Sequence, residues 1–187
     1  MASNIWVFAQ GADGAPSSAT LELLTKARSL ADSVTAFVAG DASGIAGPLG
    51  EFGATKIYAT GDLAGQLPGA AVASAMKAEI DGGDAPDLIF FPQNYEGRDV
   101  VSRLSVKLDK TVLTNNTDVA VEGEQVKVTT PVFGGTKLVT TTFTGPGPYL
   151  VTFRPKSFAA EPAGGGAPEV VEAPVPELGA TGAAKVE

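Results

Sequence analysis

The densest run of chemistry-bearing side chains is Phe91-Pro92-Gln93-Asn94-Tyr95-Glu96-Gly97-Arg98-Asp99. It follows a buried-strand run, Asp87-Leu88-Ile89-Phe90-Phe91, and opens a helix marked by Val101, Leu104 and Leu108. In open α/β sheets ligands bind beyond the carboxyl ends of the strands, and helix N-termini favour anions. Asn94, Gly97 and Arg98 could therefore hold a phosphate or a partner's carboxylate. The same residues also suit a plain loop, with Asn and Gly serving turn geometry and Arg paired to a nearby acid. A second group, Arg154-Pro155-Lys156-Ser157, places two cations beside the last strand. Arg154 and Lys156 either anchor a partner's acidic residue or balance local charge. Glu96 and Asp99 make a carboxylate pair, but at a helix start they read as solvated acids favoured by the helix dipole.

Much other chemistry is excluded. The chain has no cysteine and no histidine, so disulfides, thiolate metal sites, thiol nucleophiles and any Ser-His-Asp triad are ruled out. Nor is there the commonest general base near neutral pH. Gly11-Ala12-Asp13-Gly14 after the first strand lacks the G-x-G-x-x-G spacing, and neither a P-loop nor a G-x-S-x-G elbow occurs. With 13 basic and 21 acidic residues, a net charge of −8, neither nucleic acid nor an anionic membrane surface is an expected partner. No run approaches the about 20 apolar residues of a membrane span, and the N-terminus lacks a secretory signal. The expectation is a soluble, cytoplasmic protein with no membrane insertion and no enzymatic activity.

The elements that would position these residues follow from periodicity. Ile5–Ala9, Val34–Ala39, Lys56–Thr60 and Asp87–Phe91 are short apolar runs that suit buried strands, the third brief and edge-like. Between them lie helical stripes: Leu23, Ala27, Leu30 and Ala31 after a Ser17 or Ser18 cap; Ile45, Leu49 and Phe52 ending at Gly53; and Val72, Ala75, Met76 and Ile80 after Pro68. Asp99 and Arg103 are spaced for an i, i+4 pair on the next helix. Strand and helix alternating in this way specify a doubly wound parallel sheet with helices on both faces. Trp6, inside the first strand, belongs in the core.

Beyond Val112 the helical period disappears. Val119–Glu122, Val126–Phe133 and Lys137–Phe143 read as consecutive strands turned at Gly123-Glu124 and Gly134-Gly135, with a last strand at Tyr149–Phe153. The expectation is that they add antiparallel strands to the parallel sheet. The folded domain is expected over 1–160. Residues 161–187, rich in Ala, Gly, Pro and Glu, read as a linker or tail with at most one short strand at Val170-Val171.

Ile5-Trp6-Val7-Phe8-Ala9 leading to Ala19–Ala27, Phe52-Gly53-Ala54-Thr55-Lys56-Ile57-Tyr58, Asn94-Tyr95-Glu96-Gly97-Arg98-Asp99 with Arg103-Leu104, Leu113-Thr114-Asn115, Phe133-Gly134-Gly135 and Arg154-Pro155-Lys156-Ser157-Phe158 occur in one order. Together they resemble the N-terminal domain of electron transfer flavoprotein alpha subunits. The resemblance implies an adenine-nucleotide alpha-hydrolase-like sheet that binds a beta subunit. It also implies an FAD-containing heterodimer carrying electrons from acyl-CoA and related dehydrogenases, as in fatty acid oxidation, to a quinone oxidoreductase of the respiratory chain. FAD is expected in a second, Gly-rich domain with no counterpart before Glu187, so no cofactor-binding, catalytic or metal-binding residue is assigned here. A rival is a stand-alone adenine-nucleotide-binding module resembling universal stress proteins. The Gly-x2-Gly-x9-Gly-Ser/Thr signature of its ATP-binding members is absent.

Overall fold

The computed structural model describes residues 1–12 and 14–185. Its centre is a seven-stranded sheet in which every pairing is parallel. The elements, in chain order, begin with β1 (Ala2–Ala9), a two-residue ladder of β2 (Gly11–Ala12) with β3 (Ala15–Pro16), and α1 (Ser18–Arg28). β4 (Ala31–Val38), α2 (Ala46–Glu51), β5 (Lys56–Ala59), α3 (Pro68–Asp81), β6 (Leu88–Pro92) and α4 (Tyr95–Leu108) follow. Then come β7 (Val112–Asn116), β8 (Asp118–Glu122), β9 (Gln125–Val132), β10 (Lys137–Thr142), β11 (Tyr149–Phe153) and β12 (Glu169–Glu172). The main sheet runs β12-β5-β4-β1-β6-β11-β7.

Helix boundaries follow local chemistry. The Ser17 hydroxyl accepts from the Thr20 amide and caps α1. Pro68 opens α3, where its missing donor is harmless. Asp99 and Arg103 form the expected pair on α4 at 2.8 Å. Ala31 begins β4 rather than closing the α1 stripe: its Cα pairs with Ala2 of β1, so sheet pairing outweighs helical spacing there.

Two cores flank the sheet. On one face Ile5, Val7, Val34, Phe90 and Phe153 pack with Leu23 and Leu24 of α1 and with Val119, Val126 and Val128 of the small sheet. On the other, Trp6, Phe8, Phe37, Ile89 and Phe91 pack with Val72 and Met76 of α3 and Val100 and Leu104 of α4. Trp6 is fully buried, with its ring 5.6 Å from those of Phe37 and Tyr58. Apolar side chains on both sides of β1 and β6 explain why those strands read as continuous hydrophobic runs.

Two placements differ from the sequence reading. The antiparallel strands form a sheet of their own, β10-β9-β8, while β7 and β11 join the main sheet in parallel. A parallel pair needs a long crossover, and the three antiparallel strands supply it in place of a helix. They cover the part of the sheet that α1 and α2 leave open. Lys56–Ala59 is also not an edge: Glu169–Glu172 pairs with it in parallel, and Ala173 is fully buried. The Pro/Gly-rich stretch before β12 reaches that position by close backbone approach. The Ala163 amide donates to the Glu51 carbonyl at 2.7 Å, and a Cβ on Gly50 would stand 2.4 Å from the Gly166 carbonyl oxygen.

Candidate functional site

The chain enters the sheet at β1, builds outward through β4 and β5, then crosses to β6 on the other side of β1. The switch point therefore lies between the carboxyl ends of β1 and β6, where open α/β sheets form their binding crevice. Gln10 leaves β1 there and Asn94 leaves β6. The Asn94 Nδ2 donates to Gln10 Oε1 at 2.7 Å, and Gln10 Nε2 donates to Glu96 Oε2. Asn94 Oδ1 accepts from the Gly97 amide at 2.8 Å, capping α4. Gly97 is buried so tightly that a Cβ would lie 2.1 Å from the Pro92 carbonyl oxygen. Asn94 and Gly97 thus bond to one another, and the Asn94 backbone amide donates to the Pro92 carbonyl at the strand end at 2.9 Å.

Beside this network lies a cavity of about 240 Å³ lined by Gln10, Gly11, Val38, Asp41, Gly44 and Glu96 among others. Ligand pockets usually exceed about 300 Å³. Its described charged residues are both acidic. Hydrogen bonds from Ser43 hold the Asp41 carboxyl below the usual range, so it is ionised at neutral pH. The cavity therefore repels phosphate. Burial pushes the half-buried Glu96 carboxyl up. Its folded state consequently holds a proton that the unfolded chain releases, and its contribution to stability falls as pH rises through the window above the ordinary Glu value. Glu96→Gln keeps an acceptor for Gln10 and removes that dependence. Denaturation is expected to show the variant gaining stability over the native chain at pH 7 and gaining almost none at pH 4. An equal effect at both values would refute this assignment.

The cations stand at the same end of the sheet. Arg98 donates from Nε to the Asn94 carbonyl at 3.3 Å and lies over the Tyr95 ring at 5.0 Å; Tyr95 itself is 87% exposed. No carboxylate pairs with Arg98 among the described residues. Arg154 follows β11, the neighbour of β6, and donates from Nε to Asn115 Oδ1 at 2.6 Å. The two strand ends are tied by the Gln93 amide, which donates to the Phe153 carbonyl at 2.8 Å, and by the Thr152 hydroxyl on Gln93 Oε1. Lys156 turns the chain at φ 64°, its amide donating to the largely buried Glu22 at 2.8 Å. Its side chain is exposed. Among the described residues there is no group of three or more acidic residues arranged to hold a metal ion.

The sequence has counterparts among known proteins. The sequence matches the family described as "Electron transfer flavoprotein domain" over residues 5–178. The chain belongs to that family. The alpha subunit of the electron transfer flavoprotein of Syntrophomonas wolfei is 32% identical over 155 residues, covering 80% of this chain and 47% of the relative. That of Clostridium acetobutylicum is 27% identical over 166 residues, covering 84% and 49%, and that of Mycobacterium tuberculosis 29% over 176 residues, covering 92% and 54%. This electron transfer flavoprotein domain therefore spans about half the length of the curated relatives it matches. Among its described residues no helix is long and apolar enough to cross a membrane.

Sequence reasoning gave no site role to three residues that organise the site: Gln10, and Glu22 and Asn115, which entered only within the family-like runs Ala19–Ala27 and Leu113-Thr114-Asn115. Gln10 was visible as the first polar residue after the Ile5–Ala9 run, at the carboxyl end where binding crevices form. Glu22 and Asn115 act across more than 30 residues of chain on partners that spacing does not reveal.

Proposed function

We propose that the chain is the first-domain scaffold of an electron transfer flavoprotein alpha subunit, a non-enzymatic part that holds the beta subunit. In the complete FAD-containing heterodimer it serves electron transfer from acyl-CoA and related dehydrogenases, through a quinone oxidoreductase, to the respiratory chain. FAD belongs to the part of the relatives' length that this chain does not cover. The observation that carries the reading is the outer strand of the small sheet. β10 pairs on one side only, with β9. Lys137–Thr140 are exposed on both faces, and Phe133, Leu138 and Val139 are 81%, 67% and 45% exposed. An unpaired edge rich in β-branched residues is a template for another chain, and exposed apolar residues in a cluster mark a protein contact. Arg98, Arg154 and Lys156 supply charged contacts to the same partner, with Asn94 and Gly97 setting the helix that presents Arg98.

The acidic, undersized cavity at the switch point disfavours the stand-alone nucleotide module. Calorimetry tests the two readings together. Titration with the beta subunit from the same organism is expected to saturate at one per chain. AMP and ATP are expected to give no heat, and the chain is expected to stay colourless after incubation with FAD and desalting. Micromolar nucleotide binding without beta-subunit binding would reverse the choice.

A further inference from the structure

Arg154 is held in an unusual way. Its Nε is spent on Asn115 Oδ1 at 2.6 Å and its backbone amide donates to the Asn116 carbonyl at 3.0 Å. Neither terminal nitrogen has a protein acceptor among the described residues, and no carboxylate pairs with it. Asn115 reaches it from a left-handed backbone, φ 66°, beside a register shift between β7 and β11. Asn tolerates that conformation better than most side chains, yet a departure of this kind in an ordered strand needs a compensating interaction. The Asn115 amide is fixed in turn on the Thr152 hydroxyl at 3.0 Å.

The next residue ties this assembly to the small sheet. Asn116 is completely buried, and its side chain is fully engaged. The Nδ2 donates to the Leu113 and Thr152 carbonyls at 2.8 and 2.9 Å, and the Oδ1 accepts from the Thr130 hydroxyl at 2.6 Å. Thr130 lies on β9 directly opposite Val139 of β10. A continuous line of bonded groups thus runs from the exposed edge, through Thr130 and Asn116, to the Arg154 backbone.

We infer that Arg154 is a preset receptor for a carboxylate of the partner that docks on β10, with Asn115 as its positioning residue and Asn116 linking it to the docking sheet. This rests on the beta-subunit reading above. A guanidinium anchored through Nε presents its two terminal nitrogens as a planar fork, the arrangement that grips a carboxylate with two parallel hydrogen bonds. Fixing the fork beforehand reduces the entropy lost when the pair forms. Three cations whose side chains make no ion pair among the described residues, Arg98, Arg154 and Lys156, gather at one end of a chain whose net charge is −8. That concentration suits an acidic patch on the partner.

The test is a calorimetric double-mutant cycle with the full chain and the beta subunit. Arg154→Ala is expected to weaken association by about tenfold or more and to flatten its salt dependence. Asn115→Ala is expected to weaken it about fivefold with the Arg154 charge intact, and the double variant to be no weaker than Arg154→Ala alone. Arg154→Lys, which keeps charge but loses the fork, is expected to recover less than half of the lost binding free energy. Trp6 fluorescence unfolding of each variant establishes that it is folded. Independent, additive losses, or unchanged affinity in folded variants while the native chain binds, would overturn the inference. Phosphate is expected to weaken the native complex more than chloride at equal ionic strength, because the same fork grips it, and Arg154→Ala to abolish that excess; an excess unchanged in Arg154→Ala would overturn the inference. A native chain that fails to bind the beta subunit removes the reading beneath it, an outcome separate from those.

Discussion

Gly97→Ala is expected to lower unfolding stability by about 3 kcal/mol, read from urea denaturation followed by Trp6, the single tryptophan. The added Cβ would stand 2.1 Å from the Pro92 carbonyl oxygen and 3.2 Å from Asn94 Oδ1. The first of these is backbone at the end of a fully buried central strand, so it cannot swing aside as a flexible side chain would. Relief requires α4 to lift from β6. That displaces the Asn94 cap and loosens Val100, Val101 and Leu104, which are buried beneath the helix. Trp6 pairs with Ile89 on the neighbouring strand and reports the change directly. Gly47 is the control: it is exposed within α2, and a Cβ there meets nothing within 4 Å. Pro48 follows and disfavours a helical residue that carries a Cβ, which offsets helix propensity, so Gly47→Ala should change stability by less than about 1 kcal/mol. A loss below 1 kcal/mol for Gly97→Ala would mean that the helix start is not seated against the strand as described.

Leu138→Glu is expected to leave stability within about 0.5 kcal/mol of the native value and to weaken beta-subunit association roughly hundredfold. Leu138 is 67% exposed on an outer strand, so the folded chain alone loses little by exchanging it. In a complex the same position would be covered, and a carboxylate there would be desolvated without a partner. The glutamate also makes the edge resist pairing, the means by which natural sheets protect their outer strands. Affinity unchanged by Leu138→Glu would move the docking surface away from β10 and leave its exposed apolar residues unexplained.

The central architecture was legible because its signals are local. Ile5–Ala9 and Leu88–Phe91 are buried on both faces, and the helices between the strands carry apolar stripes and recognisable starts at Ser17 and Pro68. What escaped depends on distant pairing. Glu169–Glu172 carries a strand-like composition only at Val170-Val171, and its place beside β5 depends on contacts more than 100 residues away. Val112–Asn116 sits between a helix and a turn, and its parallel partner, β11, lies beyond three intervening strands. At the site, the local chemistry of Asn94, Gly97 and Arg98 could be read as a helix start beyond a strand. The anchoring of Arg154 by Asn115 could not, since two residues 39 apart meet only once β7 and β11 are aligned.

Amide hydrogen exchange of the chain, alone and with excess beta subunit, tests most directly whether this domain is a docking scaffold and whether β10 is where it docks. Bound beta subunit is expected to slow exchange in Lys137–Thr142 and at Arg154, while the core amides of β1 and β6 stay as slow as before. Exchange unaltered along the whole chain at saturating beta subunit would contradict the scaffold role, and slowing confined to the opposite face, at α3, would contradict the surface assigned to it.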